Sequence, residues 1–160
     1  MEIDLNKLDK KEFLNRMIIP HIALTTFKYR ARAASILKKI HADITIDQAI
    51  ILKLLTVYGD MNQQEIAGCL YKDKSNLSRM CELLESRGYV TRRPDMKNNR
   101  VVKILTITDK GKLYMSKMQK VAEHLHSVAT DGLTQDEIET LRRVTSKIRE
   151  NLNKDIEGIL

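Results

Sequence analysis

Between Gly88 and Thr108 the sequence changes its period, and that change constrains the fold more than any other feature. On the N-terminal side, apolar residues recur at helical spacing. Within the interval, "YVTRRP" and "VVKILTIT" are rich in β-branched residues and flank the polar turn "DMKNN", which predicts a two-stranded hairpin. Helix starts are marked by capping-box pairs: Asp9 with Glu12, Thr45 with Gln48, Asn62 with Glu65, and Thr134 with Glu137. Helices are expected over about 46–58, 63–70 and 74–87, the first ending at Gly59 and the last at Gly88. Pro20 predicts a break between a short N-terminal helix and a longer one near 21–41. A long helix is expected from Thr108 to just before Gly132, and another from Thr134 towards the C-terminus. Helix, short helix, helix and hairpin in that order make a mainly α chain of the winged helix-turn-helix pattern.

The charge is concentrated in the middle of that pattern. Lys72 to Lys103 holds nine Lys or Arg against four Asp or Glu, in a chain of 160 residues with formal net charge +7. Such a balance points to a polyanionic partner. In the 74–87 helix, Leu77, Met80, Cys81 and Leu84 share one face, leaving Ser75, Asn76, Ser78, Arg79 and Glu82 largely on the others. Asn suits an adenine edge, Arg a guanine edge or phosphate, and Ser a phosphate oxygen. Taken alone, this helix also fits an ordinary solvated face. The hairpin favours DNA, because a turn with Lys97, Asn98, Asn99 and Arg100, preceded by Arg92, makes a cationic finger for a minor groove.

The segment from Ile44 to Gly111 resembles the DNA-binding core of the MarR family of bacterial transcriptional regulators. "TIDQAIILKLL" is similar to the helix before that family's motif, and "MNQQEIAGCLYKDKSNLSRMCELLESRGYVTRR" to its helix-turn-helix and first wing strand. "ITDKG" resembles its Leu-Thr-x-x-Gly closing signature with Ile107 in place of Leu, and Leu84, Glu85, Gly88 and Tyr89 match a further step. The resemblance implies a homodimeric repressor on a pseudo-palindromic double-stranded operator, released by a small-molecule effector. It carries Lys74, Ser75, Asn76, Ser78 and Arg79 to the recognition helix, and Gln63 and Gln64 to the DNA backbone. The wing departs from the family's Asp-x-x-Asp-Arg-Arg: here it reads Asp95, Met96, Lys97, Asn98, Asn99, Arg100. One Arg remains of the pair. Either the run from Arg100 to Thr108 is one residue long, or Val101 occupies the second Arg position.

The chain ends are expected to dimerise. Ile138, Leu141, Val144, Ile148, Leu152, Ile156 and Ile159 form a stripe, and Phe13, Leu14, Met17, Ile18 and Ile22 supply apolar surface near the start. The expected division is 1–44 for the first part of the dimerisation region, 45–111 for the DNA-binding core and 112–160 for the second part. A larger monomeric helical domain, or a helical adaptor that binds protein instead of DNA, is the competing reading.

Other chemistries find little support. His124 and His126 diverge on a helix, and His21 and His41 are singletons, so no metal is expected. Nor is a cofactor or an enzymatic activity, since neither a phosphate-cradling glycine loop nor a nucleophile–base arrangement is visible. Cys69 and Cys81 read as small core residues in a reducing compartment, with a thiol sensor as the alternative. With no membrane-length apolar run and no signal peptide, a cytoplasmic protein without membrane contact is expected.

Overall fold

A computed structural model describes residues 9, 14, 16–97 and 100–154, the side chains of Lys97 and Arg100 excepted. Helices α1 (Ile18–Lys39) and α2 (Ile46–Tyr58) precede strand β1 (Met61–Asn62). Then come α3 (Gln63–Leu70), α4 (Lys74–Ser86), and strands β2 (Val90–Lys97) and β3 (Arg100–Ile107). Helices α5 (Asp109–Ala129) and α6 (Gln135–Leu152) follow. The chain divides into two compact units, one up to Ala122 and one from Glu123.

Three expected capping boxes form, at Thr45, Asn62 and Thr134. They also explain two buried polar residues. Gln48 and Asn62 are 1% and 4% exposed, yet each exchanges hydrogen bonds with its capping partner, so neither leaves a dry polar group unpaired. Of the pair expected at Asp9 and Glu12, Glu12 lies outside the described residues. Asp73 caps α4, its carboxylate accepting from the Asn76 N–H at 2.8 Å.

The expected break between a short N-terminal helix and a longer one falls at Met17, after helical Leu14 and Arg16, and not at Pro20. The extended residue is Met17, and α1 starts at Ile18, so Pro20 falls in the first turn, where no intrahelical donor is required of it.

The hairpin forms with Val90 opposite Ile107 and Lys97 opposite Arg100. β1 adds to its other side, Met61 opposite Leu105, giving an antiparallel sheet of order β1-β3-β2. This strand of two residues has no periodicity to announce it. It pins the α2–α3 turn to the wing.

The core is built from Ile44, Ile51, Leu52, Leu55, Ile66, Leu77, Met80, Cys81, Leu84, Tyr89, Val90 and Leu105. The apolar faces of α2, α3 and α4 meet the inner face of the sheet there. Cys69 is a correction to the sequence reading: it is exposed. Gln63, Ile66, Ala67 and Leu70 line the inward face of the short α3, and Cys69 stands off that row.

The "ITDKG" turn has a steric reason. The Thr108 hydroxyl donates to the Gly88 carbonyl at 2.7 Å and accepts from the Gly111 N–H at 3.1 Å. A Cβ on Gly111 would run into the Tyr89 carbonyl oxygen and come within 2.6 Å of the Ile107 side chain. Only glycine lets α5 leave this close to the end of α4.

Candidate nucleic-acid interface

Helix α4 is held by the core on one face and presents a polar surface on the other. Leu77, Met80, Cys81 and Leu84 are buried. Lys74, Ser75 and Arg79 are exposed, and Asn76 and Ser78 half-buried. The Ser78 hydroxyl bonds the Glu82 carboxylate one turn on, at 3.1 Å. The first turn of α4 contains no acidic residue, but the Asp73 carboxylate caps it, so Lys74 and the helix N–H groups face one negative charge at this end.

Both ends of α4 are anchored. Ahead of it, Lys72 sits 3.4 Å from Asp47 in the first turn of α2, and Asp47 also receives Arg30 of α1 at 3.0 Å. Burial works against ionisation of Asp47, but the hydrogen bond and charge of Arg30, with Lys72, outweigh it and lower its pKa. Behind α4, the Tyr89 hydroxyl donates to Asp43 at 2.8 Å, and Arg87 donates to the Asp43 carbonyl. Tyr89 packs edge-on against Tyr114 at 5.1 Å, with the Lys110 ammonium 4.6 Å from its ring. Burial, reinforced by Asp43, pushes the Tyr89 hydroxyl up to about 12, so it stays a donor at any physiological pH.

The hairpin separates two adjacent arginines. Arg92, on the inner face, binds Glu85 of α4 at 2.5 Å and approaches Glu82 at 3.6 Å. Arg93, on the outer face, is 58% exposed and reaches Asp60 at 3.4 Å and Asp95 at 3.5 Å. The Asp95 carboxylate thus braces Arg93 and accepts from the Met96 N–H at 2.8 Å. The turn residues Asn98 and Asn99, and the side chains of Lys97 and Arg100, lie outside the described set.

A fixed polar helix beside a protruding hairpin is the geometry of a winged helix, and comparison with known proteins bears on it directly. The MarR family model matches residues 44–102. A Bacillus subtilis protein named as an uncharacterized HTH-type transcriptional regulator, YybA, is 28% identical over 73% of this chain and 79% of its own. The multiple antibiotic resistance protein MarR of Salmonella typhimurium is 29% identical over 66% of this chain and 74% of its own. Among solved structures, a cysteine-to-serine mutant of E. coli MarR complexed with operator DNA superposes with TM-score 0.71 at 29% identity, covering 84% of this chain and 97% of that one. The chain carries a MarR-family domain over residues 44–102. It is a transcriptional regulator of winged helix-turn-helix fold. A MarR family regulator from Silicibacter pomeroyi, 17% identical, shares the fold over 96% of this chain with TM-score 0.77.

Within this MarR-family fold, the structure sorts the candidate residues. Lys74, Ser75, Asn76, Ser78 and Arg79 come together on the free side of α4. Gln64 is exposed at the start of α3, whereas the Gln63 amide nitrogen is buried. Arg92 is turned to the carboxylates of α4, which makes it a brace between helix and wing. Sequence reading passed over Lys72, Arg93, Asp47 and Asp43. Their partners are 17 to 46 residues away or fixed by strand register, so no local spacing betrays them.

Cys81 lies in the core against α3. Burial pushes its thiol up, opposed in part by the Gln63 amide and the Arg92 charge. That favours the unreactive thiol form. Among the described residues no cluster of His, Cys, Asp and Glu could hold a metal, and no helix is long and apolar enough to cross a membrane.

Proposed function

We propose that this chain binds double-stranded DNA as a homodimer and represses transcription until a small-molecule effector releases it. The observation that carries the reading is the exposed N-terminal half of α4, held rigid by the core and anchored at both ends. In this reading Lys74, Ser75, Asn76, Ser78 and Arg79 enter the major groove. Gln64 and Lys72 sit over the backbone, and the wing with Lys97, Asn98, Asn99 and Arg100 takes the minor groove. The solved E. coli MarR mutant in complex with operator DNA supports DNA as the partner class. Residues 45–111 are the DNA-binding core, and 1–44 and 112–160 supply the dimer. Supporting a dimer, neither α1 nor α6 buries a single residue within the chain. Release by an effector follows from the family resemblance.

Two copies related by a two-fold axis require an inverted-repeat operator, half-sites about 34–36 Å apart. Duplexes selected from fragmented host DNA supply that operator, and salt titrations on it and on random duplex test the reading. Each phosphate neutralised contributes roughly 0.9 to the log–log slope, while a bidentate base contact gives about 1–3 kcal/mol of discrimination. Arg79→Ala and Asn76→Ala are therefore expected to weaken the operator more than random duplex. Unchanged affinity for both would remove α4 from the interface.

A further inference from the structure

The inner face of the hairpin changes character along its length. Its cross-strand pairs are Val90 with Ile107, Arg92 with Leu105, Pro94 with Lys103, and Met96 with Val101. The first pair packs on the core and Leu105 is fully buried. At Pro94 and Lys103 the face has left the core and is exposed. At the next pair it turns apolar again, with Met96 63% and Val101 72% exposed. Val101 stands where one alignment of the wing would place an arginine. Directly opposed residues support a hairpin through their packing. That accounts for a β-branched residue here but not for leaving a thioether in water beyond the core.

We propose that Met96 and Val101 form an apolar wedge with which the wing enters the minor groove of the operator and reads the deformability of the step beneath it. The inference rests on the DNA-binding reading above. Charge complementarity selects the occupant. The wedge is carried on a cationic hairpin, with exposed Lys103 behind it on the same face and the register pair Lys97 and Arg100 beyond it. Those cations are drawn to phosphates, which line both edges of a minor groove about 6 Å wide. The walls between the phosphates are largely deoxyribose C–H surface, so an apolar pair loses its water there without stranding a polar group. Apolar side chains at such positions partly unstack a base step, and pyrimidine–purine steps yield most easily. The wedge thus adds selectivity outside the major-groove half-site, and it neutralises no phosphate.

That last property gives the test. Full-length protein is titrated with salt on its selected operator, as wild type and as the Met96→Thr, Val101→Thr double variant. Threonine keeps the β-branched preference of the strands. The expected result is operator affinity lower by about tenfold or more at every salt concentration, with an unchanged log–log slope. Val101→Arg is expected to steepen the slope instead. Met96→Leu with Val101→Ile should bind as wild type, which separates lost apolar contact from a damaged hairpin. On the DNA side, replacing the pyrimidine–purine step under the wing by a stiff A-tract should weaken wild type and leave the threonine variant unaffected. Equal affinity of wild type and the threonine variant would overturn the wedge while leaving the DNA-binding reading intact, as would a loss accompanied by a shallower slope. A change of sedimentation in the threonine variant would assign the pair to protein contact. A wild-type chain that binds no duplex would overturn the underlying reading as well.

Discussion

The reading head and the terminal helices obey different rules. From Ile44 to Leu105, α2, α3, α4 and the sheet bury a shared set of aliphatic side chains, many of them at 0–1% exposure. α1 is 22 residues long and α6 is 18, and neither buries one. Phe27 of α1 and Leu141 of α6 are 65% and 57% exposed. Isolated helices are marginal in water, and packing of an apolar face supplies most of their stability. The head therefore closes within a single chain, while the ends carry surface that a single chain leaves wet. A second copy is the partner proposed here for that surface, and the contrast predicts where each kind of damage will show.

The largest effect should come from removing the end. Deleting everything after Gly132 removes α6, whose start is fixed by the Thr134 capping box. If α6 is part of the dimer, the truncated chain should sediment as a monomer and lose the gain from linking two half-site contacts, roughly 10²–10⁴ in operator affinity. The head should keep its own fold. A stable dimer of the truncated protein would break the comparison.

A leucine in each region sharpens it. Leu105 is 0% exposed at the centre of the sheet, and Leu105→Ala should cost about 2–5 kcal/mol in denaturant unfolding, through lost burial and the cavity left behind. Leu141→Ala deletes as many atoms from a side chain that is wet in the single chain. It should leave unfolding of the isolated protomer nearly unchanged and instead raise the concentration at which dimers dissociate. Equal losses of protomer stability at both sites would show that α6 belongs to a one-chain core.

The same contrast marks what could be read from the sequence. Helix starts were legible because a capping box is a spacing of three residues, and the buried face of α4 because Leu77, Met80, Cys81 and Leu84 repeat with the helix. The MarR resemblance located the head, and the fold matches it. What was not legible depends on distant partners or strand parity. Asp47 joins Arg30 to Lys72 across three elements. β1 exists because Met61 meets Leu105. Arg92 and Arg93 look alike as neighbours, and only the register of β2 against β3 sends one to Glu85 and the other outward. Cys69 was misplaced because α3 is too short for its face to be fixed by periodicity alone.

Arg92 gives the smallest effect and the most specific check on the head. Its guanidinium joins the wing to α4 through Glu85, and the hydrogen bond from Arg92 holds the Glu85 carboxyl below its usual range. A depressed carboxyl stabilises the fold above its unfolded pKa, and that contribution is lost as pH falls through the folded value. The wild type should therefore lose a small increment of stability across the acid side of the glutamate range, and Glu85→Gln should flatten that part of the profile. Glu85 is 36% exposed, so solvent screens the pair and the increment should stay below about 1 kcal/mol. Denaturant midpoints measured at intervals from neutral to acid pH would resolve it. The brace reading makes a second demand on the same variant. If Arg92 joins helix to wing and does not hold a phosphate, Glu85→Gln should lower operator affinity slightly by loosening the wing. The salt slope should stay at the wild-type value. A steeper slope would mean that the freed Arg92 has found a phosphate, and that Glu85 normally keeps it from one.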